Sequence, residues 1–333
     1  MDNTWPTKFL ILVFLVLFAA VAGVGLVGRE LARPGPLAAE TSVNIPAGTS
    51  TKAMAALLAQ HGVIAAPRLF ELTVRLSGFA PTLKAGEYVF EPGISLRQVI
   101  TKLAFGRTAS RSLTLPEGLT VKEALAVFAK EDGLEGEARP IPPEGTLFPD
   151  TYHFTRGTSR ATLLKLAQER LANELKAAWD SRTQPLPLNT PDDMLILASI
   201  VQKEAANEAE MPDIAGVFIN RLNKGMRLQS DPTVMYGADI NGNDIKGKDL
   251  REDNPFNTYT NEGLPPTPIA NPGRAALQAV AHPATTQALF FMAKPDRSGH
   301  VFSSTYAEHQ KAVKAYWQAY EAAKTATSKE PSQ

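Results

Sequence analysis

One glutamate set on an apolar helical face is the residue in this chain best placed to do chemistry. Glu204 follows Val201, Ile200 and Leu197 by three, four and seven residues, positions that share one face of an α-helix. A carboxylate turned toward that face is costly unless it is protonated, paired or lining a cleft, and loss of solvent raises its pKa. Such a group suits general acid catalysis, and it equally suits a structural acid that caps or pairs inside the fold. Glu208, four residues on, either raises the pKa of Glu204 through like charge or lies on a solvated face. Downstream, Arg227-Leu228-Gln229-Ser230-Asp231-Pro232-Thr233 leaves the helical pattern. There Asp231 reads as a turn former before proline or as a group that orients a substrate.

Several chemistries are poorly supplied. The chain has no cysteine, which removes disulfides and thiolate metal sites. Its five histidines, at positions 61, 153, 282, 300 and 309, form no HExxH or similar ligand pair, so no metal site is expected. The 34 basic and 34 acidic residues cancel, and no global field points to nucleic acid.

The elements that must position Glu204 are legible around it. Thr190-Pro191-Asp192-Asp193 is a helix start, with a capping hydroxyl, proline at the first position and acid in the first turn. The stretch Leu197 to Glu210 continues as that helix. Pro212 opens another, on which Ile214, Val217, Phe218, Arg221 and Leu222 share a face and which Gly225 stops. Asn220 and Arg221 either pair with helix ends or stand in reserve as site residues. Earlier, Leu164, Ala167, Leu171 and Leu175 form an apolar stripe at helical spacing. After a turn at Asn241-Gly242-Asn243 comes Asn254-Pro255-Phe256-Asn257-Thr258-Tyr259-Thr260. Then Gly263 to Gly273 holds four prolines and two glycines in eleven residues, a stiff, irregular loop. Rigid loops beside polar aromatics make good cleft walls for sugars. Asn271-Pro272 is read first as the cap of the following helix. Ala288 to Lys294 and His300 to Thr305 read as a hairpin. Thr305 to Glu308 is a capping box that opens a final helix, with Val313, Trp317 and Tyr320 at core spacing.

The N-terminal part has a different character. Phe9 to Gly28 is an uncharged run of 20 residues between Lys8 and Arg29, long enough at about 1.5 Å per residue to cross a hydrocarbon core of about 30 Å. A cleaved signal peptide competes, since Ala20-Val21-Ala22 resembles a cleavage site; the length of the run favours an anchor. Beyond it a motif recurs. Val43 to Gly62 and Leu113 to Gly133 each carry a β-prone stretch, Pro-x-Gly, a Ser or Thr cap (Ser50, Thr120) and a helical pattern. A shorter version runs from Phe90 to Ser95 into Leu96 to Leu103. Pro67 to Ser77 reads as a helix and Leu83 to Phe90 as a strand. Such strand–turn–helix units resemble LysM-like carbohydrate-binding modules, although packing alone explains them.

The expected class is therefore α+β: an N-terminal transmembrane helix, a small LysM-like α+β subdomain and a mixed α+β catalytic domain. Its boundaries are a cytoplasmic N-terminus at 1–8, an anchor at 9–28, a tether at 29–41, the LysM-like region at 42–140, the catalytic domain at 144–325 and a disordered tail at 326–333.

The run ASIVQKEAANEAEMPDIAGVFINRLNKGMRLQSDPTVMYG, from Ala198 to Gly237, with NTYTNEGLPPTPIANPG and the earlier GTLFPDTY, closely resembles the YceG-like family of endolytic murein transglycosylases. That resemblance implies an enzyme of the inner membrane with a LysM-like subdomain and a periplasmic catalytic domain. It would cut peptidoglycan glycan strands internally, leaving 1,6-anhydro-N-acetylmuramic acid ends and setting strand length or ending elongation. Glu204 falls on the family's catalytic glutamate. Many members have a second glutamate where this chain has Gln202; that departure is taken as harmless, because Gln202 points about 200° away on a helix of about 3.6 residues per turn. Gln229, Ser230, Asp231, Tyr236, Asn257 and Tyr259 become candidates for binding substrate or supporting the acid.

The implied reaction explains why one carboxyl suffices. Ordinary glycoside hydrolysis uses two, whereas here the C6 hydroxyl of the substrate replaces water and Glu204 acts first as acid and then as base. No cofactor is implied. Expected partners are the glycan strands, the membrane and, at family level, glycan-polymerising penicillin-binding proteins. Two other classes compete: a non-catalytic, membrane-anchored peptidoglycan-binding scaffold, and a pyridoxal-phosphate lyase, for which the sequence offers no phosphate cradle.

Overall fold

The computed structural model describes residues 5–46, 48–183, 185–240, 245–296 and 298–327, with side chains from 9 to 322. The turn expected at Asn241-Gly242-Asn243 and the tail beyond residue 327 lie outside these. The chain divides into two compact units, one of residues 1–112 with 153–158, the other of 113–152 with 159–333. Short strands β3 (Arg111–Thr114), β5 (Thr151–Phe154) and β6 (Thr158–Ser159) lie at the points where the chain passes between them, and β4 (Leu134–Glu135) lies within the second.

In the first unit, helix α1 (Trp5–Ala32) includes an apolar stretch, Phe9–Ala32, of mean hydropathy 3.0. It runs past Gly28, since nothing before Pro34 interrupts helix. Its length and composition are compatible with a single-pass membrane anchor, and a signal sequence meets the same criteria. Beyond it, β1 (Thr41–Ile45) pairs antiparallel with β2 (Gly86–Phe90), Val43 opposite Tyr88. Alternation puts Val43, Ile45, Tyr88 and Phe90 on one buried face. Helices α2 (Thr51–Gln60), α3 (Pro67–Ser77) and α4 (Leu96–Phe105) supply Leu58, Phe70, Val74, Val99 and Leu103 to the same core. Ser50 caps α2 and Ser95 forms a full capping box on α4. Gly48, in the first Pro-x-Gly turn, and Gly93, directly after Pro92, take φ of 77° and 69°, a left-handed conformation that glycine adopts without steric cost.

The second unit is mainly helical: α5 (Val121–Lys130), α6 (Arg160–Ser181), α7 (Pro191–Glu204), α8 (Met211–Asn223), α9 (Asp231–Gly237) and α10 (Arg274–Ala281), then the hairpin of β7 (Phe290–Ala293) and β8 (His300–Ser303), and α11 (Tyr306–Thr327). The second long Pro-x-Gly copy belongs here, with Thr120 boxing α5. Helix α7 is the central element. Thr190 and Asp193 form its capping box, and every residue from Met194 to Val201 is buried, so it is apolar all round. That is how a helix enclosed by others must be built; α6, α8 and α10 pack on it.

Three expectations are corrected in this unit. Helix α7 does not continue to Glu210: Ala205 turns extended, with ψ of 131°, and Glu208–Glu210 form a separate 3-10 turn. Glu204 is therefore the last residue of its helix, and Glu208 is not stacked above it. The segment after Ser230 is not irregular either, because Pro232 falls in the first turn of α9, where its missing N–H costs nothing. Finally, Trp317 and Tyr320 are 52% and 46% exposed rather than core. Helix α11 packs on the hairpin, but at about 33 Å for its 22 residues it outruns strands of about 13 Å.

Candidate functional site

Glu204 closes α7 at the negative end of the helix dipole, partly buried, with one carboxyl oxygen accepting a hydrogen bond from Ser230 Oγ at 2.5 Å. Burial pushes its pKa up to about 7; the Asp231 carboxylate adds to the rise, while the Ser230 bond and the Arg221 charge oppose it. A carboxyl raised into this range keeps a proton to give near neutral pH, the condition for a general acid.

Two loop segments hold Ser230 in place. Ser230 N–H donates to Thr258 Oγ1 at 3.0 Å, Gln229 N–H to the Thr258 carbonyl at 3.1 Å, and Thr233 Oγ1 to the Ser230 carbonyl at 2.7 Å. Gln229 sits at φ of 50°, left-handed backbone that costs a non-glycine residue energy and that collects at functional sites. Its side chain is exposed. Asn257, fully buried, donates to the carbonyls of Asp249 and Glu252 and accepts from Tyr259 N–H at 2.9 Å. Tyr259 in turn donates to Asp231 Oδ1 at 2.6 Å, and Arg227 Nη1 donates to the Tyr259 carbonyl. Burial, then the neighbouring Asp231, raises the phenol of Tyr259 above its ordinary range. Ser230, Asp231 and Tyr259 thereby come together around Glu204, and Asn257 acts through the backbone of Tyr259.

Tyr236 goes elsewhere. Its hydroxyl donates to Glu144 Oε2 at 3.2 Å, and its ring meets Phe256 edge-on at 4.9 Å. Glu144 also accepts from Val121 and Gly145 N–H, while burial raises its pKa. Asn271 is not a helix cap: Gly273 occupies that position on α10. Instead Asn271 accepts from Leu147 N–H and donates to the Leu119 carbonyl, both at 2.8 Å. Gln202 accepts from Gly273 N–H at 2.9 Å.

Sequence reasoning missed Thr258, although it lies inside the quoted NTYT motif. It also held Arg221 only in reserve, with pairing to helix ends as the alternative. Arg221 is 6% exposed and donates from Nε to the Leu289 carbonyl at 2.7 Å and from Nη1 to the carbonyls of Leu228 and Arg227 at 2.6 and 3.4 Å. A charged residue on the apolar face of α8 was the available signal. Asn220 donates to the carbonyls of Thr286 and Ala288. Among the described residues no group of three or more His, Cys, Asp or Glu is arranged to hold a metal.

The site thus presents one carboxyl poised near neutrality, a hydroxyl that stabilises its ionised form, and a Tyr–Asp pair beside it. This arrangement can deliver a proton to a leaving oxygen and take one back.

A sequence model of the YceG-like family matches residues 43–315. The endolytic murein transglycosylase of Bacillus subtilis (strain 168) is 33% identical over 330 residues, covering 89% of this chain and 91% of the relative. That of Streptococcus pneumoniae serotype 2 (strain D39) is 25% identical, covering 92% of this chain and 65% of the relative. A crystal structure of a yceG-like protein from Listeria monocytogenes superposes with a TM-score of 0.53 at 30% identity, over 82% of this chain and 98% of that one.

Proposed function

This chain belongs to the YceG-like family, and from that premise we propose that it is an endolytic lytic transglycosylase cutting the MurNAc–GlcNAc bond within peptidoglycan strands. The observation that carries the reading is the state of Glu204: a single partly buried carboxyl with pKa raised to about 7, held by Ser230. In its protonated form it donates to the bridging oxygen as the bond to the muramic acid carbon breaks. Charge developing on the sugar is quenched by the substrate's own C6 hydroxyl. The carboxylate, stabilised by Ser230 and Arg221, accepts the proton of that hydroxyl as the 1,6-anhydro ring closes, and Glu204 returns to its starting state. No water is consumed and no second carboxylate is needed, in contrast to hydrolysis. Asp231 and Tyr259 orient the sugar, and the exposed Gln229 side chain offers its amide to sugar hydroxyls.

The other parts fit this reading. Apolar helix α1 anchors the chain in the inner membrane in a single pass, with the catalytic domain in the periplasm. The strand–turn–helix copies within residues 42–140, although divided between the two units, serve as LysM-like elements that contact glycan. Glycan-polymerising penicillin-binding proteins are the partners such a location favours. The test is mass spectrometry of products from purified glycan strands. Anhydro ends with wild type and none with Glu204→Gln support the reading; reducing ends would mean hydrolysis, and unchanged strands a binding scaffold.

A further inference from the structure

We propose that Arg221 is a positioning residue for this reaction: its guanidinium holds the Arg227 and Leu228 carbonyls so that Ser230 reaches Glu204, and its charge supports the carboxylate left after proton donation. The inference rests on Glu204 being the acid and base. Two observations carry it. The first is connectivity. Arg221 bonds the two carbonyls immediately before Gln229 and Ser230 and, through Nε, the Leu289 carbonyl at the start of the hairpin. One rigid fork thus sets the path of the segment that enters the left-handed turn at Gln229 and delivers Ser230 Oγ to Glu204.

The second is the charge itself. Burying a guanidinium is expensive unless an anion compensates it, yet among the described residues its hydrogen bonds go to backbone carbonyls and none to a carboxylate. Only the face of Phe290, 5.4 Å away, adds a cation–π contact. A clamp on carbonyls alone does not require a full charge. The groups Arg221 acts on electrostatically are Glu204 on α7, Tyr259 in the loop and His309 on α11; Asp231 on α9 is the other charge facing Glu204. The buried cation is thus one of the charges that favour Glu204 as the anion it becomes during turnover.

The test compares Arg221→Gln and Arg221→Lys in the full chain, following anhydro-end formation against pH together with thermal unfolding. Loss of the charge favours protonated Glu204, so Arg221→Gln should move the upper limb of the kcat/KM profile to higher pH by about half a unit or more and lower kcat about thirtyfold or more. Arg221→Lys keeps the charge without the fork; its limb should stay near that of wild type while kcat falls about tenfold. KM should change little in either. Carboxyl NMR titration of Glu204 reads the same shift in a variant too slow to assay. A wild-type titration of Glu204 in Arg221→Gln, or a KM effect with kcat unchanged, would overturn the proposal, as would failure of both variants to fold. Absence of anhydro ends with wild type would instead remove the transglycosylase reading itself.

Discussion

Ser230 stands at the N-cap position of α9, yet its hydroxyl donates to Glu204, 26 residues earlier, and makes no capping bond to its own helix. A serine at that position ordinarily satisfies one of the free N–H groups of the helix, worth about 1 kcal/mol. Here the group is committed to the acid. Local stability has been exchanged for control of one proton, a conflict between local rule and structure of the kind that marks functional sites.

Ser230→Ala removes a bond that favours the ionised form of Glu204. The upper limb of kcat/KM should move to higher pH. Loss of one charge-assisted bond, about 1.5–3 kcal/mol, should lower kcat roughly tenfold or more. Stability should fall by about 1–3 kcal/mol above pH 7, where the Glu204 carboxylate loses its donor, and by less at pH 5, where Glu204 is protonated. Initial rates of anhydro-end formation between pH 5 and 9 provide the check.

Asp231→Asn should act with the opposite sign. The Asp231 carboxylate raises the Glu204 pKa by like charge, so neutralising it should move the same limb to lower pH. Asparagine retains an oxygen to accept from the Tyr259 hydroxyl, so the loop should keep its course. An upward shift would mean that Asp231 acts on Glu204 in some other way.

Glu204→Gln should abolish activity and also alter stability with pH. The folded-state pKa is raised from 4.5 to about 7, so the folded chain binds this proton more tightly than the unfolded chain. The stabilisation from protonated Glu204 is fully present below about 4.5 and is lost as pH rises through about 7. Glutamine does not titrate. At pH 8 the variant should be more stable than wild type by on the order of 3 kcal/mol, with the gap closing toward pH 4. Melting temperatures of both proteins at pH 5 and pH 8 measure this; a gap that does not widen with pH would contradict it.

Asn271→Ala should be mainly a stability variant. It strands the N–H of buried Leu147 and removes one of two bonds to the Leu119 carbonyl, which keeps the backbone N–H of residue 271, and an unsatisfied buried group costs about 1–3 kcal/mol. A fall in melting temperature with retained cleavage by the remaining folded enzyme is the expected result. Lost cleavage at unchanged stability would instead assign Asn271 to the substrate.

Much of the second unit was legible because its signals are local. The capping box at Thr190 and Asp193, the stripe Leu164 to Leu175 and the hairpin around Pro295 to Gly299 each involve residues a few positions apart, and each is found. The end of α7 was not, because Ala205 to Glu210 has no glycine or proline and nothing in its pattern forbids helix. The exposure of Trp317 was hidden for a related reason: spacing shows which side chains share a face, not how far the partner surface extends.

By itself, then, the sequence determined the apolar N-terminal run, the helices with their caps, and a lone acid flanked by Leu197, Ile200 and Val201, since periodicity, capping and hydropathy act within a few turns of chain. Only the tertiary structure decided what surrounds that acid. Ser230 with the adjacent Asp231, the Arg221 charge and the Tyr259 phenol arrive from three separate segments, and the anchor Asn271 ties positions 124 residues apart. A carboxyl pKa depends on desolvation and on charges in space rather than along the chain, so the proton affinity of Glu204 is a property of the folded molecule.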